Sequence, residues 1–374
     1  MLDINDSQQS ILAHNRKLLL GDTALTTKDV LLVPAKGKIV SRELFRIDRH
    51  FLMNAPMDSV MDFDGWLNDG YSSSMITNLP RHLTPRLFDF KESHQRNEDI
   101  VALLSDNYIS VGLHDLLPDK DSAIIRRYKK VGFRGVFGQC QFNIAVDVAH
   151  GYSDFAIARY KEIRKWAADI GMSVRIMSGS VATPEAIELL VDGYVDDLRI
   201  GIGSGSVCST REVTGIGVPQ LSAVASISNA CLRYRGTTKY AWWRLIADGG
   251  IENSGDIIKY LAAGADICML GKMYAACSDS PTKGQSHRGQ ASAAYQMEHN
   301  HRIRNNVPEG VCSLIVPSGK RRIELNTEIL AAVRSAGSYL GFEQLSDFGL
   351  ADNGFIRITQ NGQIESGHLP AISY

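Results

Sequence analysis

The segment Gly201–Ala223, GIGSGSVCSTREVTGIGVPQLSA, sets one cysteine among glycines 201, 203, 205 and 215, with hydroxyl residues on both sides. Glycine lets a loop approach a ligand closely and present backbone groups to it. A thiolate at Cys208 can add to an electrophilic ring carbon and leave again in a later step. The alternative is a small cysteine packed in a glycine-rich turn. A second segment, IADGGIENS (Ile246–Ser254), puts Asp248 before two glycines. Asp248 can hold a ribose diol while the glycine N–H groups take a phosphate; otherwise this is a strand-to-helix turn capped by Asn253 or Ser254. In VPEG, Glu309 is an acid/base, an acceptor for a ring N–H, or a solvated glutamate in a turn. Asp147 in VDVAHGYSD ends an apolar run and is either functional or a helix cap. His150 beside it reads as a loop histidine, and no histidine pair has metal-ligand spacing.

These residues need a frame that brings distant segments together. Strand-like apolar runs recur at Phe51–Ala55, Ser74–Thr77, Tyr108–Gly112, Asn143–Asp147, Ser173–Met177, Asp197–Gly201, Arg244–Asp248 and Ile267–Gly271. Between them lie amphipathic stretches such as Asp154–Ala168, Pro184–Val191 and Gly255–Ala263. Alternating strands and helices predict a parallel sheet with right-handed crossovers. Eight units predict an α/β fold of the (β/α)₈ barrel type, with an N-terminal extension, inserted loops and a C-terminal segment. An open doubly wound sheet is the rival, but no GxGxxG follows an early strand. Residues 1–374 read as a single catalytic barrel domain, with Arg233–Trp243 a local insertion. In a barrel, chemistry belongs in the loops after strands, and phosphate after strands seven and eight. The candidate residues lie there.

Composition agrees. The chain has 374 residues, 44% hydrophobic and 22% charged, with a formal net charge of −1. That neutrality leaves no electrostatic footprint for nucleic acid or an anionic membrane. No apolar run approaches the roughly 20 residues of a spanning helix. The polar, acidic start MLDINDSQQS argues against a secretory signal. The cysteines 140, 208, 231, 268, 277 and 312 include no CxxC pair, so a reducing cytoplasm is the expected compartment.

Taken together the segments resemble the IMP dehydrogenase/GMP reductase family. The resemblance runs through LTTKDVLLVPA (Leu25–Ala35), NAPMDSVMD (Asn54–Asp62), VDVAHGYSD, SGSVAT (Ser178–Thr183), GIGSGSVCSTR, GVPQLSA, IADGGI, MLGKMYAA (Met269–Ala276), RGQAS (Arg288–Ser292), VPEG and FIRITQNGQIESGH (Phe355–His368). It implies a (β/α)₈ barrel, a homotetramer, a purine nucleoside monophosphate substrate and a nicotinamide cofactor. Cys208 matches the cysteine that attacks purine C2, and Thr210 the threonine that works with the glutamate at Glu309. The carbonyls of Gly203, Gly205 and Cys208 match those that hold a potassium ion. Ser206, Gly250 and Gly271 match phosphate contacts, Asp248 the ribose contact, and Gln290, Ala291, Ser292 and Gly310 the purine stretch. Met57, Met269 and Lys272 are expected on the substrate side. Asp147, Ala149 and Asn78 are expected on the cofactor side.

The family's two activities run in opposite directions, and three features resemble the reductase. No regulatory CBS module interrupts the early strands. VDVAHGYS has the reductase form. The flap Met297–Asn306 is short and lacks the Arg-Tyr pair with which dehydrogenases activate water; His301-Arg302 is not an obvious substitute. The expected activity is therefore NADPH-dependent conversion of GMP to IMP and ammonia. The alternatives are NAD-dependent IMP dehydrogenase, a relative acting on a deoxy or modified purine nucleotide, and a nucleotide-binding protein without turnover. Other features depart from that pattern. VPEG and QIESGH look dehydrogenase-like. Thr77-Asn78 replaces a His-Lys pair, Lys272 stands where a small residue is expected, Asn54 and Pro56 alter the first loop, and Ser180 replaces an asparagine.

Overall fold

Asp197–Ile200 (DLRI) and Ile267–Leu270 (ICML) are buried at every position, as parallel strands covered on both faces must be. They belong to an eight-stranded parallel sheet. In chain order its strands are β1 (Leu52–Asn54), β2 (Asn78–Leu79), β3 (Tyr108–Val111), β4 (Cys140–Asp147), β5 (Met172–Val181), β6 (Asp197–Ile200), β7 (Arg244–Asp248) and β8 (Ile267–Leu270). From β2 to β8 each pairs with the next, and β8 pairs with β1. The ring closes where Ile76 N–H donates to the Leu52 carbonyl at 3.0 Å and Ile76 bridges to Met53. The expected (β/α)₈ barrel is the observed fold. The computed structural model describes residues 23–72, 75–84, 86–87, 107–113, 140–169, 171–234, 236–237, 242–300, 307–350 and 354–366.

Side-chain alternation divides the core. Met53, Tyr108, Ala145, Met177, Ile246, Ile267 and Met269 point inward and form a cluster of their own. Their neighbours Leu245, Ala247, Cys268 and Leu270 point outward, into the layer shared with the helices. At the N-terminal end of the strands, Asp197 is fully buried. Arg175 Nε donates to Asp197 Oδ2 at 2.9 Å, Arg244 Nε to its Oδ1 at 3.1 Å, and Tyr108 OH donates as well. The buried charge is thus paired on several sides, and the barrel floor is shut.

The longest described helices are α1 (Phe63–Ser72), α2 (Asp154–Asp169), α3 (Gln220–Leu232), α4 (Ser254–Ala262) and α5 (Arg322–Leu340). Asn253 caps α4 by accepting from Asp256 N–H at 3.0 Å. Among the described residues, two antiparallel pairs lie outside the barrel. Val30–Leu32 joins Phe355–Arg357, and Ser286–Arg288 joins Cys312–Leu314 at the base of the flap.

The second strand differs from expectation. Its ladder lies at Asn78–Leu79, while in the expected run Ser74–Thr77, of which Ser74 is outside the described residues, Ile76 makes the bridge to Met53 and the Thr77 carbonyl accepts from Tyr108 N–H. Side-chain amides set this register. Asn54 Oδ1 accepts from Asn78 N–H at 2.7 Å, and Thr77 N–H donates to Asn107 Oδ1 at 2.7 Å. Pro184–Val191 is likewise split, into a 3₁₀ turn (Pro184–Ile187) and a short helix (Glu188–Val191). Within the expected insertion, residues 235 and 238–241 lie outside the described set.

Candidate active site

The C-terminal ends of the barrel strands open on a cavity of about 850 Å³. β6 delivers the cysteine loop into it. Gly201 lies at φ +145°, and a Cβ there would sit 2.1 Å from the Asp248 carbonyl oxygen, so only glycine lets this loop pass the one after β7. The Ser204 hydroxyl donates to that same carbonyl at 2.9 Å and ties the two loops together. On its other side the cysteine loop pairs with VPEG. Ser209 N–H donates to the Glu309 carbonyl at 3.0 Å, and Val311 N–H to the Val207 carbonyl at 2.9 Å.

That pairing brings three side chains into line. Cys208 Sγ donates to Thr210 Oγ1 at 3.2 Å, and Thr210 Oγ1 donates to Glu309 Oε2 at 2.9 Å. A proton therefore has a continuous path between thiol and carboxylate. Cys208 is exposed on the cavity wall, which disposes of the packing alternative. Other cysteines behave as small hydrophobes. Cys231, Cys268 and Cys277 are buried, and burial pushes the Cys231 thiol up to about 12 and that of Cys277 to about 11.

Arg199 of β6 organises the wall opposite. Its side chain is 8% exposed, with Nη1 2.9 Å from Asp147 Oδ1 and Nε 3.5 Å from Asp248 Oδ2. One guanidinium thus holds the carboxylates that end β4 and β7. Burial pushes the Asp248 carboxyl up, Arg199 opposes it, and Asp147 adds to the upward push. Past Asp248, Gly249 and Gly250 take φ +94° and +71°, and Gly271 precedes the short helix Lys272–Ala275. Lys28 Nζ lies 2.9 Å from Glu252 Oε2, and Lys272 Nζ 3.4 Å from Glu252 Oε1. The hydrogen bond from Lys28 holds the Glu252 carboxyl below its usual range, and Lys272 adds to this.

His287 stands beside Gly271, whose added Cβ would lie 3.4 Å from Nε2. Its Nδ1 shares a hydrogen bond with Ser59 Oγ at 3.1 Å. Burial, aided by Lys272, lowers the imidazole from 6.5 to about 4, with Asp58 opposing. The folded chain keeps His287 neutral where the unfolded chain protonates it. Its contribution to stability is therefore complete above pH 6.5 and declines as pH falls to about 4. The expected loss across that window is up to about 3 kcal/mol. Urea denaturation at stepped pH should show a steeper decline for wild type than for His287→Gln; equal slopes would contradict this.

Most expected site residues line this one cavity: Met57, Asp147, Ala149, Gly203, Gly205, Ser206, Cys208, Thr210, Asp248, Gly250, Met269, Gly271, Lys272, Gln290, Ala291, Glu309 and Gly310. Two do not. Asn78 is fully buried inside the barrel, where its N–H donates to Asn54 Oδ1 and its Oδ1 accepts from Ser110 Oγ. These bonds set strand register, its side-chain Nδ2 makes no hydrogen bond among the described residues, and Asn78 is not among the residues that line the cavity. Ser292 is 2% exposed and bridges Gly310, so it shapes the wall without facing the cavity. His301-Arg302 lies outside the described residues. The lining also includes residues not foreseen, among them Lys28, Arg199, Glu252, His287 and an aromatic group. In that group the His299 ring lies 4.6 Å from His82 and 4.3 Å from Tyr295, centroid to centroid. A charge inside the apolar run DLRI was the available signal for Arg199. The two halves of the Lys28–Glu252 pair are too distant in sequence for any local signal.

The family model described as "IMP dehydrogenase / GMP reductase domain" matches residues 141–368. The chain belongs to the IMP dehydrogenase/GMP reductase family. Its relatives carry both names. Inosine-5'-monophosphate dehydrogenase of Thermoplasma acidophilum is 37% identical over 237 residues, covering 60% of this chain and 46% of the relative. The dehydrogenase of Borreliella burgdorferi is 33% identical over 241 residues, covering 60% and 56%. The chain thus spans about half the length of these dehydrogenases. GMP reductase of Phytophthora infestans is 28% identical over 370 residues, covering 93% of this chain and 94% of the relative. Family members are oxidoreductases. Among the described residues, no helix is long and apolar enough to cross a membrane.

Proposed function

We propose that the chain is a GMP reductase-type enzyme that converts GMP to IMP and ammonia with NADPH. The observation that carries this reading is the hydrogen-bonded path from Cys208 Sγ through Thr210 Oγ1 to Glu309 Oε2. Sulfur adds to C2 of the guanine ring, and the thiol proton leaves along that path. As the C2–N bond breaks, Thr210, backed by Glu309, passes a proton to the departing ammonia. NADPH, when bound, supplies the hydride that C2 receives. The C2–S bond then breaks, and its electron pair returns to Cys208. Asp248 and Arg199 hold the ribose end, Gly250, Gly271 and Ser206 the phosphate, and Gln290 and Gly310 the base.

The residues present suit a dinucleotide. The rings of His82, Tyr295 and His299 offer aromatic faces at the cavity wall, and Asp147 and Ala149 border the same space. Potassium belongs to the proposal too, because backbone carbonyls are its donor chemistry. The Gly205 carbonyl accepts from Cys208 N–H at 3.0 Å and keeps a second lone pair. A cytoplasmic homotetramer completes the reading, supported by the resemblance alone.

The second reading is the dehydrogenase, favoured by relatives of that name at up to 37% identity. It requires a base to activate water, and no Arg-Tyr pair stands in residues 297–306. Parallel assays separate the two. GMP with NADPH should turn over at least about tenfold faster than IMP with NAD; the opposite order would establish the dehydrogenase. No turnover with guanine nucleotide bound would move the assignment to a deoxy or modified nucleotide, or to a binding role.

A further inference from the structure

The N-terminal segment reaches the phosphate end of the cavity. Thr26–Asp29 forms a capped turn, with Thr26 N–H donating to Asp29 Oδ2 at 2.7 Å and Lys28 N–H to Thr26 Oγ1 at 3.2 Å. The turn is anchored on two helices. Leu25 N–H donates to Ser222 Oγ of α3 at 2.7 Å, and Lys259 Nζ of α4 donates to the Thr27 carbonyl at 2.8 Å. Its position is therefore fixed, and it carries Lys28 to Glu252. Glu252 is fixed in turn, because its N–H donates to Asp256 Oδ2 at 2.9 Å. Lys28, Glu252 and Lys272 all line the cavity beside Gly250 and Gly271.

These side chains are 68%, 40% and 43% exposed, so their pairs add little to stability. Their charge matters at the site instead. Without Lys28, Glu252 would place an unneutralised carboxylate beside the phosphate and hold Lys272 for itself. The two contacts are unequal: 2.9 Å to Lys28 against 3.4 Å to Lys272. Glu252 is thus neutralised chiefly by the N-terminal lysine, and Lys272 is left as the net cation.

We propose that Lys28 is a positioning residue that sets recognition of the nucleotide's 5'-phosphate by occupying Glu252 and freeing Lys272. The inference rests on the functional reading above, in that a purine monophosphate puts its phosphate at Gly250 and Gly271. Lys28 acts without touching the substrate. The chain thereby recognises the phosphate by net charge as well as by backbone N–H groups, and its affinity for the nucleotide is salt-dependent.

Calorimetric titration of the full chain with GMP and with guanosine tests this without requiring turnover. Lys28→Ala should weaken GMP about five- to tenfold and leave guanosine unchanged. Adding Glu252→Gln to Lys28→Ala should restore most of the loss, and Glu252→Gln alone should tighten GMP. In steady state the change should appear in KM and not in kcat. Unchanged GMP affinity in Lys28→Ala, failure of Glu252→Gln to rescue, or equal weakening of guanosine would each overturn the proposal. If wild type binds no purine monophosphate at all, the functional reading fails first and this inference with it.

Discussion

Cys208→Ala is expected to lower turnover by at least about 10⁴-fold, roughly 5.5 kcal/mol of transition-state stabilisation, while GMP affinity changes little. Alanine removes the sulfur proposed to bond to C2, and among the described residues no other cysteine lines the cavity. The proposed phosphate, ribose and base contacts come from Gly250, Gly271, Asp248, Gln290 and Gly310, none of which depends on the thiol. Affinity and turnover should therefore separate. Calorimetry alongside an absorbance assay for reduced cofactor checks both. Residual turnover within about tenfold of wild type would rule out covalent catalysis.

Glu309→Gln has the second-largest expected effect, a fall in kcat of about 10²- to 10⁴-fold with GMP affinity retained. Glutamine keeps the shape and still accepts from Thr210 Oγ1, but it cannot take or return a proton. The pairing of VPEG with the cysteine loop is through backbone, Ser209 N–H to the Glu309 carbonyl and Val311 N–H to Val207, so the substitution leaves the loops in place. Thr210→Val should cost a similar factor, and Thr210→Ser should recover most of it. Because both residues belong to one proton path, Thr210→Val with Glu309→Gln should cost far less than the product of the single losses. Fully multiplicative losses would mean that the two act separately.

What could be read from residue order divides along a physical line. Strands such as DLRI and ICML show their burial in composition, and their spacing with intervening helices predicts the barrel. Cys208, Asp248 and Glu309 were visible because each sits in a short motif with glycine neighbours. Asn78 lacks such a motif. A polar residue after a strand looks functional, yet here its hydrogen bonds to Asn54 and Ser110 set the closure of the barrel. Ser292 sits in the purine stretch but turns its side chain into the wall. Arg199 is legible only once β4, β6 and β7 are placed side by side. Lys28 and Glu252 meet only because the N-terminal turn docks on α3 and α4.

The proposed reaction is reduction at C2 of a guanine nucleotide. Its most direct test is to incubate the full chain with GMP, potassium and NADPH deuterated at the transferable position of the nicotinamide. The product is then examined by mass spectrometry and proton NMR. The expected product is IMP carrying deuterium at C2, formed in step with ammonia and with loss of the reduced cofactor. IMP without deuterium at C2, or cofactor loss without IMP, would contradict it.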